Sequence, residues 1–505
     1  MANHISIQNY AAQSFVLGGV LLGLIPLFWF ALSRDGFAAL QLDSGIAGVL
    51  WFTLKQAFLS TVLSVIPGLF IARALARRDF VGHAWLLRLF AVPTALPAIV
   101  VILALSQIYG AKQILGEYVN FYGLGGILLA HVFFNLPLAV RLFYEANENI
   151  SPENFRLAAQ LSFSDWAVFR HVEWPVFRNV LPRVSALVFL LCAASFVIVL
   201  TLGGPAATTL EVAIYQSLRL DFDIGRALAL AVLQIVLCLI LVALSGRVML
   251  QNFTHATTLL AQKRFDGNDY VARFTDYGLI LLGVVFIVPP MLALVVGGVG
   301  QIAISSQLFN ALLFSFAIGA ASALLTILLA WKIAQCTDWF SQSISLAALI
   351  VPPAVMATGW FLLLRDVNDR IDVVLATIIA LNALMALPFA VAILAPAFDR
   401  NMKWHDRLCK QLGFNNWQRL INIDLPLMRR PVMQALLLAF VLSLGDLTAI
   451  TLLGNQGIVT LPSLIQSQMG HYRGDAATGT ALMLAIISLG FAALAQKLGT
   501  ANDFD

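Results

Sequence analysis

Gln160–Arg178 reads QLSFSDWAVFRHVEWPVFR, and Gln411–Arg429 reads QLGFNNWQRLINIDLPLMR. The offset between them is 251 residues, and it holds without a gap from Gln160–Ile214 to Gln411–Ile465, where 14 of 55 positions are identical. Phe163/Phe414, Trp166/Trp417, Pro175/Pro426, Gly203/Gly454 and Thr209/Thr460 are among the matches, and the same offset lays Leu136-Pro137 on Leu387-Pro388. Chance likeness between two apolar stretches repeats Leu, Ala and Phe. It does not repeat Gln, Trp, Pro and Gly in a polar loop. The chain is two related halves.

Both repeats are flanked by apolar sequence. Of 505 residues, 60% are apolar and 11% charged, and the mean hydropathy is +0.88. Soluble proteins carry about 45–50% and about 25% respectively, so the composition is that of a polytopic membrane protein. Twelve segments are long and apolar enough to span: 15–33, 49–72, 85–108, 121–144, 184–203, 226–246, 277–299, 309–332, 343–364, 373–397, 432–454 and 479–496. They are apolar throughout, without the alternation of barrel strands. At about 20 residues each they take up roughly 240 residues, which leaves no room for a fused ATPase or receptor domain. The expected fold is an all-α polytopic membrane protein of about 12 transmembrane helices. Six spans per half give both halves the same orientation, a parallel repeat. The expected halves are residues 1–250 (core 45–249) and 276–505 (core 306–496), joined by a cytoplasmic linker, 251–275.

Orientation follows from Lys and Arg, which accumulate in cytoplasmic loops. With the N-terminus inside, 22 fall in inside loops and 7 outside, Lys55 lying within a span. Both termini are expected in the cytoplasm. The opening MANHISIQNYAAQSF lacks a basic n-region, so the first apolar stretch is read as a span and not a cleaved signal. The repeated loops are then cytoplasmic.

Ser151-Pro152 reads as a helix start, with a short helix over Arg156–Leu161, an interruption at Ser162, and Ser164-Asp165 capping a second piece. In the second half Arg407–Leu412 is the expected helix, Gly413 its left-handed stop and Asn416 the next cap. Each loop thereby carries apolar side chains into water: Leu157, Leu161, Phe163 and Trp166 in one, Leu408, Leu412, Phe414 and Trp417 in the other. Two such knobs suit docking to two copies of one partner. Alternatively the tryptophans anchor at the bilayer interface.

These loops resemble the EAA loop of ABC importer permeases, in which Glu-Ala-Ala is followed after three residues by Gly and later by Pro. The Glu-Ala-Ala positions fall on Arg156-Leu157-Ala158 and Arg407-Leu408-Cys409, the glycine on Ser162 and Gly413, the proline on Pro175 and Pro426. Neither copy keeps the glutamate. WFTLKQAFLSTVLSVIPGLFIARALARRDF, GILLAHVFFNLPLAVRL, ATTLEVAIYQSLRLDFDIGRA, NALMALPFAV, VLSLGDLTAITLLGN and TLPSLIQSQMG are similar to the permeases of bacterial thiamine ABC transporters, over nearly the whole chain. The resemblance implies two fused type I importer units in the bacterial inner membrane. It also implies two copies of a cytoplasmic ATPase docked on the loops and a periplasmic thiamine-binding protein. Ferric-iron importer permeases share this architecture and are the competing reading.

Asp446 is a charge inside a span, a costly placement. It matches Ser195 of the first half and lies near Ser443, Thr448 and Thr451. In the family the corresponding spans help line the translocation path, so Ser195, Ser443 and Asp446 are path candidates. The alternative for Asp446 is helix packing against a neighbouring hydroxyl. Lys55 and Arg141 sit near span ends as anchors, and His131 reads as a packing or hydrogen-bonding residue. Glu211, Asp221, Asp223, Asp366, Asp369, Asp372 and Asp475 fall in outside loops, where they are either solvated or face a binding protein. Cys192, Cys238, Cys336 and Cys409 form no CxxC pair. No GxxxxGK[ST], HExxH or GxSxG motif occurs, and no polar constellation of the kind an intramembrane enzyme needs is evident. No cofactor and no nucleic-acid partner are expected. An ion-coupled secondary transporter of two parallel halves is the other mechanism, but Asp446 is its single good candidate for ion coupling.

Overall fold

The computed structural model describes residues 2–31, 44–110, 113, 116, 120–204, 207–245, 264, 266, 269–303, 305–335, 351–364, 370–454 and 457–500. Within them every regular element is helical, as the hydrocarbon core demands of backbone groups that have no water to bond. Nine helices among the described residues are long and apolar enough to span a membrane: Gly45–Arg77, Leu124–Glu148, Asp165–Ala193, Ile224–Leu241, Tyr270–Gly298, Ser306–Ala334, Ile371–Asp399, Trp417–Leu444 and Gly474–Leu498. His83–Ala95 and Ala98–Tyr109 qualify as a pair bent by 110°. The predicted span 15–33 falls on the helix Ala2–Ala31, and the described part of 343–364 holds the helix Pro353–Leu363. Residues 336–350 lie outside the described residues.

Two predicted spans need correction. Those placed at 184–203 and 432–454 begin earlier, inside the repeated loops, and stop at Ala193 and Leu444. A short helix follows each break, Val197–Leu202 and Thr448–Leu453. The breaks fall at equivalent positions, with Ser195 in one and Asp446 in the other. The loops also enter differently. The first half restarts at Ser151-Pro152, whereas the second runs unbroken from Ile371 to Gln411, so the separate helix expected over Arg407–Leu412 does not exist. Met402-Lys403 stands where the first half has Ser151-Pro152, and nothing there stops a helix.

The chain sorts into two compact units that interleave in sequence. One comprises residues 43–209 and 238–297, the other 1–42, 210–237 and 298–505. In the first, Ser44–Arg77 packs along Leu124–Glu148 and against Trp174–Ala193. In the second, Ser306–Ala334, Ile371–Gln411, Leu425–Leu444 and Gly474–Thr500 form the bundle, and Ala2–Ala31 packs on Pro353–Leu363. There Trp360 Nε1 donates to the Gly19 carbonyl at 2.9 Å, and a Cβ on Gly359 would lie 1.8 Å from the Gly23 carbonyl oxygen. The backbones touch because both residues lack side chains, the small-residue contact of membrane helices. Gly359→Ala is therefore expected to lower stability by about 1–3 kcal/mol, read as a lower midpoint of thermal unfolding in detergent; an unchanged midpoint contradicts this packing.

Candidate functional site

The first loop is built on local capping. Ser151 Oγ accepts from Glu153 N–H at 3.3 Å and starts the Pro152–Gln160 helix. That helix ends with Ser162 at φ +51°, and Phe163 N–H closes back on the Ala158 carbonyl at 3.0 Å. Ser164 Oγ then accepts from Ala167 N–H at 3.3 Å to start Asp165–Val168. A widened turn, Phe169–Glu173, leads into Trp174–Ala193. Ile150, Phe155, Ala158 and Val168 form the underside, with Phe163, Val172 and Val176 packed against it. Leu157, Leu161 and Trp166 point outward, Trp166 being 66% exposed, and Arg156 is exposed beside them.

The second loop repeats this geometry. Gly413 has φ +65°, and Phe414 N–H donates to the Cys409 carbonyl at 3.2 Å. Serine at the equivalent position enters the same left-handed region at a steric cost that glycine avoids. The cap is Asn415, one residue before the predicted Asn416: Gln418 N–H donates to Asn415 Oδ1 at 2.8 Å and Asn415 N–H to Gln418 Oε1 at 3.1 Å. Leu412 and Trp417 are exposed, Trp417 at 67%. Phe414 is half-buried, like Phe163. Ala158 and Cys409 both lie on buried undersides. Pro175 and Pro426 open the next helix. The side chains of Arg407 and Leu408 lie outside the described residues.

The halves differ in what holds the loop. In the first, Glu173 is fully buried and pairs with Arg73 and, at 2.6 Å, with Arg264. Arg77 reaches Asp165 at 2.8 Å, Asp266 at 3.3 Å and Asp276 at 3.6 Å; Arg78 reaches Asp276 at 2.6 Å. Arg264 also binds Asp266 at 2.6 Å and stacks over Phe155, 4.3 Å from the ring centre. Four guanidinium groups thus meet four carboxylates. The cluster ties the loop to the Ser44–Arg77 helix and to the linker residues Arg264 and Asp266. Burial raises the Asp266 carboxyl, but the Arg264 hydrogen bonds and the charges of Arg264, Arg77 and Arg73 outweigh it and hold the group below its ordinary value. In the second loop Asp424 stands at the place of Glu173 and pairs within the loop, with Arg419 at 3.3 Å.

The path candidates Ser443 and Asp446 come together in the second unit. They line a small cavity with Ser315, Asn382 and Thr460. Asn382 Nδ2 donates to Ser443 Oγ at 2.9 Å. Asp446 accepts from Thr448 N–H at 3.1 Å and Ala449 N–H at 3.0 Å, so backbone amides at the start of the Thr448–Leu453 helix hold it. Ser195, half-buried, occupies the matching break in the other unit.

Glu211 corrects the expectation of an exposed acidic rim. It is fully buried, bonded to the Ala354 amide and, at 3.5 Å, to Gln234 Nε2, while Oε2 has no partner. Burial pushes this carboxyl up to about 8. The folded protein then holds a proton that the unfolded chain releases above its ordinary 4.5, so stability falls as pH rises between those values. Glu211→Gln is expected to flatten that stretch of a stability-against-pH curve; an unaltered slope contradicts it. Asp221, Asp223 and Asp475 are exposed as expected, though Asp223 Oδ1 accepts from Arg226 N–H at 2.9 Å as a helix cap. Asp366 and Asp369 lie outside the described residues.

Residues 322–502 match the family model for the binding-protein-dependent transport system inner membrane component. The helical fold and the repeated loops are those of an ABC importer permease: a multi-pass inner-membrane transport subunit, not an enzyme, that works with an ATPase and a periplasmic binding protein. The chain is 40% identical to the thiamine transport system permease protein ThiP of Brucella abortus, covering 95% of this chain and 92% of the relative. It is 39% identical to ThiP of Escherichia coli, covering 98% and 97%, and 37% identical to that of Haemophilus influenzae, covering 94% of each. The chain belongs to this family of thiamine transport system permeases. The ion-coupled alternative is thereby set aside.

Proposed function

We propose that this chain forms the membrane pore of an ATP-driven importer of thiamine and its phosphates. In this reading a periplasmic thiamine-binding protein delivers the substrate, and two copies of a cytoplasmic ATPase drive transport, one on each repeated loop. The observation that carries the coupling reading is the duplicated turn, with a left-handed residue at Ser162 and Gly413 and an exposed tryptophan four residues later. The substrate reading rests on the relatives. The contact surface comprises Arg156, Leu157, Leu161, Trp166, Arg407, Leu408, Leu412 and Trp417. Ala158, Ser162, Phe163, Cys409, Gly413 and Phe414 shape it, and Pro175 and Pro426 start the helices that carry its motion into the membrane. Both termini lie in the cytoplasm, and the halves divide at 1–250 and 276–505 around the linker 251–275. ATP closure draws the loops together and turns the path outward to receive substrate. Ser195, Ser443 and Asp446 lie along that path, where the Asp446 carboxylate attracts the thiazolium cation.

Mass measurement of the detergent-solubilised complex tests the stoichiometry: two ATPase subunits per permease chain are expected, and a single one contradicts the two-loop reading. Asp446→Asn keeps the cap acceptor for one amide but removes the charge. It is expected to raise the KM for thiamine about tenfold, the size of one charge contact. Unchanged transport with unchanged substrate preference removes Asp446 from the path.

A further inference from the structure

Inside the first unit three helices bring together polar side chains that lie far apart in sequence. Gln56, Ser60 and Ser64 share one face of Ser44–Arg77 at four-residue intervals, His131 and Asn135 share one face of Leu124–Glu148, and Cys192 lies next to the end of Trp174–Ala193. All are buried. Ser60 Oγ and His131 Nδ1 are 3.1 Å apart. Asn135 Nδ2 donates to the His131 carbonyl at 2.9 Å and to Cys192 Sγ at 3.3 Å. Gln56 Nε2 donates to the Cys192 carbonyl at 2.9 Å. These bonds leave Gln56 Oε1, His131 Nε2 and Ser64 Oγ buried without a partner.

Unpaired polar atoms within a membrane helix bundle are costly, and apolar side chains of the same volume would pack without that cost. Helix packing alone gives these atoms no partner, and a group met during the transport cycle can supply one. The repeat supports this. The 251-residue offset puts Asn382 at the place of His131 and Ser443 at that of Cys192, and in the second unit those two residues bond to each other and face the cavity that Asp446 lines. In both halves the second of the two residues, Cys192 or Ser443, sits just before the break in the helix that leaves the loop. The Ser60–His131 bond can run in either direction; in the tautomer where Ser60 O–H donates to Nδ1, His131 Nε2 carries the proton and is a donor. Gln56 Oε1 is an acceptor. A ring nitrogen beside an exocyclic amino group, the edge of a 4-aminopyrimidine, complements that donor and acceptor.

We infer that Gln56 and His131 form a recognition site for the aminopyrimidine ring of the substrate during its passage. The inference rests on the thiamine reading above and names the part of the substrate read here. The test uses the whole complex, permease with ATPase and binding protein, in proteoliposomes, and measures ATP-driven uptake of thiamine and of oxythiamine. Oxythiamine carries oxygen in place of the amino group and so reverses the donor pattern. The wild type is expected to favour thiamine, and His131→Asn and Gln56→Met to lower the thiamine-to-oxythiamine ratio about tenfold, the size of one lost hydrogen bond. A purely structural role lowers both uptakes together and leaves the ratio unchanged. An unchanged ratio in either variant that still transports overturns the inference. Should both variants lose all uptake, Gln56→Asn, which keeps the amide but draws it back by one methylene, is expected to shift the ratio in the same direction, and its failure to do so overturns the site. A wild type that takes up no thiamine overturns the thiamine reading, and the inference with it.

Discussion

Glu173→Ala is expected to destabilise this protein by about 3–5 kcal/mol, the cost of breaking a buried ion pair from one side. Glu173 is fully buried and holds both Arg73, 16% exposed at its side chain, and Arg264, 4% exposed. Removing the carboxylate leaves two guanidinium groups facing each other with less charge to balance them. The matched control is Asp424→Ala in the second loop. Its carboxylate is 16% exposed and pairs with Arg419, 18% exposed, so the expected cost is smaller than for the fully buried Glu173. Cys192, Cys238 and Cys409 are buried, so a thiol-reactive dye reports unfolding in detergent. A much lower midpoint for Glu173→Ala than for Asp424→Ala supports the cluster as the anchor of the first loop; equal midpoints contradict it.

The second large effect is expected at the exposed tryptophans. Trp166 and Trp417 are each about two-thirds exposed, on rigid capped turns in loops otherwise open to water. An aromatic presented this way is the residue type on which interfaces concentrate their energy, about 2 kcal/mol or more per truncation. Trp166→Ala and Trp417→Ala are each expected to weaken ATPase binding about thirtyfold, and the double variant to lose both co-purification and uptake. Normal co-purification by the double variant would return these side chains to the role of bilayer anchors.

Much of this was legible in the sequence because the signals are local. Ser151, Ser164 and Gly413 announce their turns by residue type, and the repeat exposed the two equivalent loops by pairing Trp166 with Trp417. The failures have local causes too. Two adjacent asparagines compete for one cap, and Asn415 took it because its side chain pairs reciprocally with Gln418. The breaks at Ser195 and Asp446 carry no proline, so an apolar run hid them. Distant contacts left less trace. Arg73, Arg77 and Arg78 read as a positive-inside signal, but they pair with carboxylates up to 199 positions away, from Arg77 to Asp276. The approach of Gly23 to Gly359 has no periodicity to betray it. Gln56, His131 and Asn135 look like isolated polar residues in separate spans until three helices bring them together.

The most direct test of the account is uptake of labelled thiamine by proteoliposomes that hold the permease and its ATPase inside, with the loaded binding protein outside. Accumulation is expected to require ATP hydrolysis and the binding protein, and to vanish in the Trp166→Ala, Trp417→Ala double variant. Thiamine accumulation that continues without the ATPase, or ATP-driven uptake of ferric iron in place of thiamine, would contradict it.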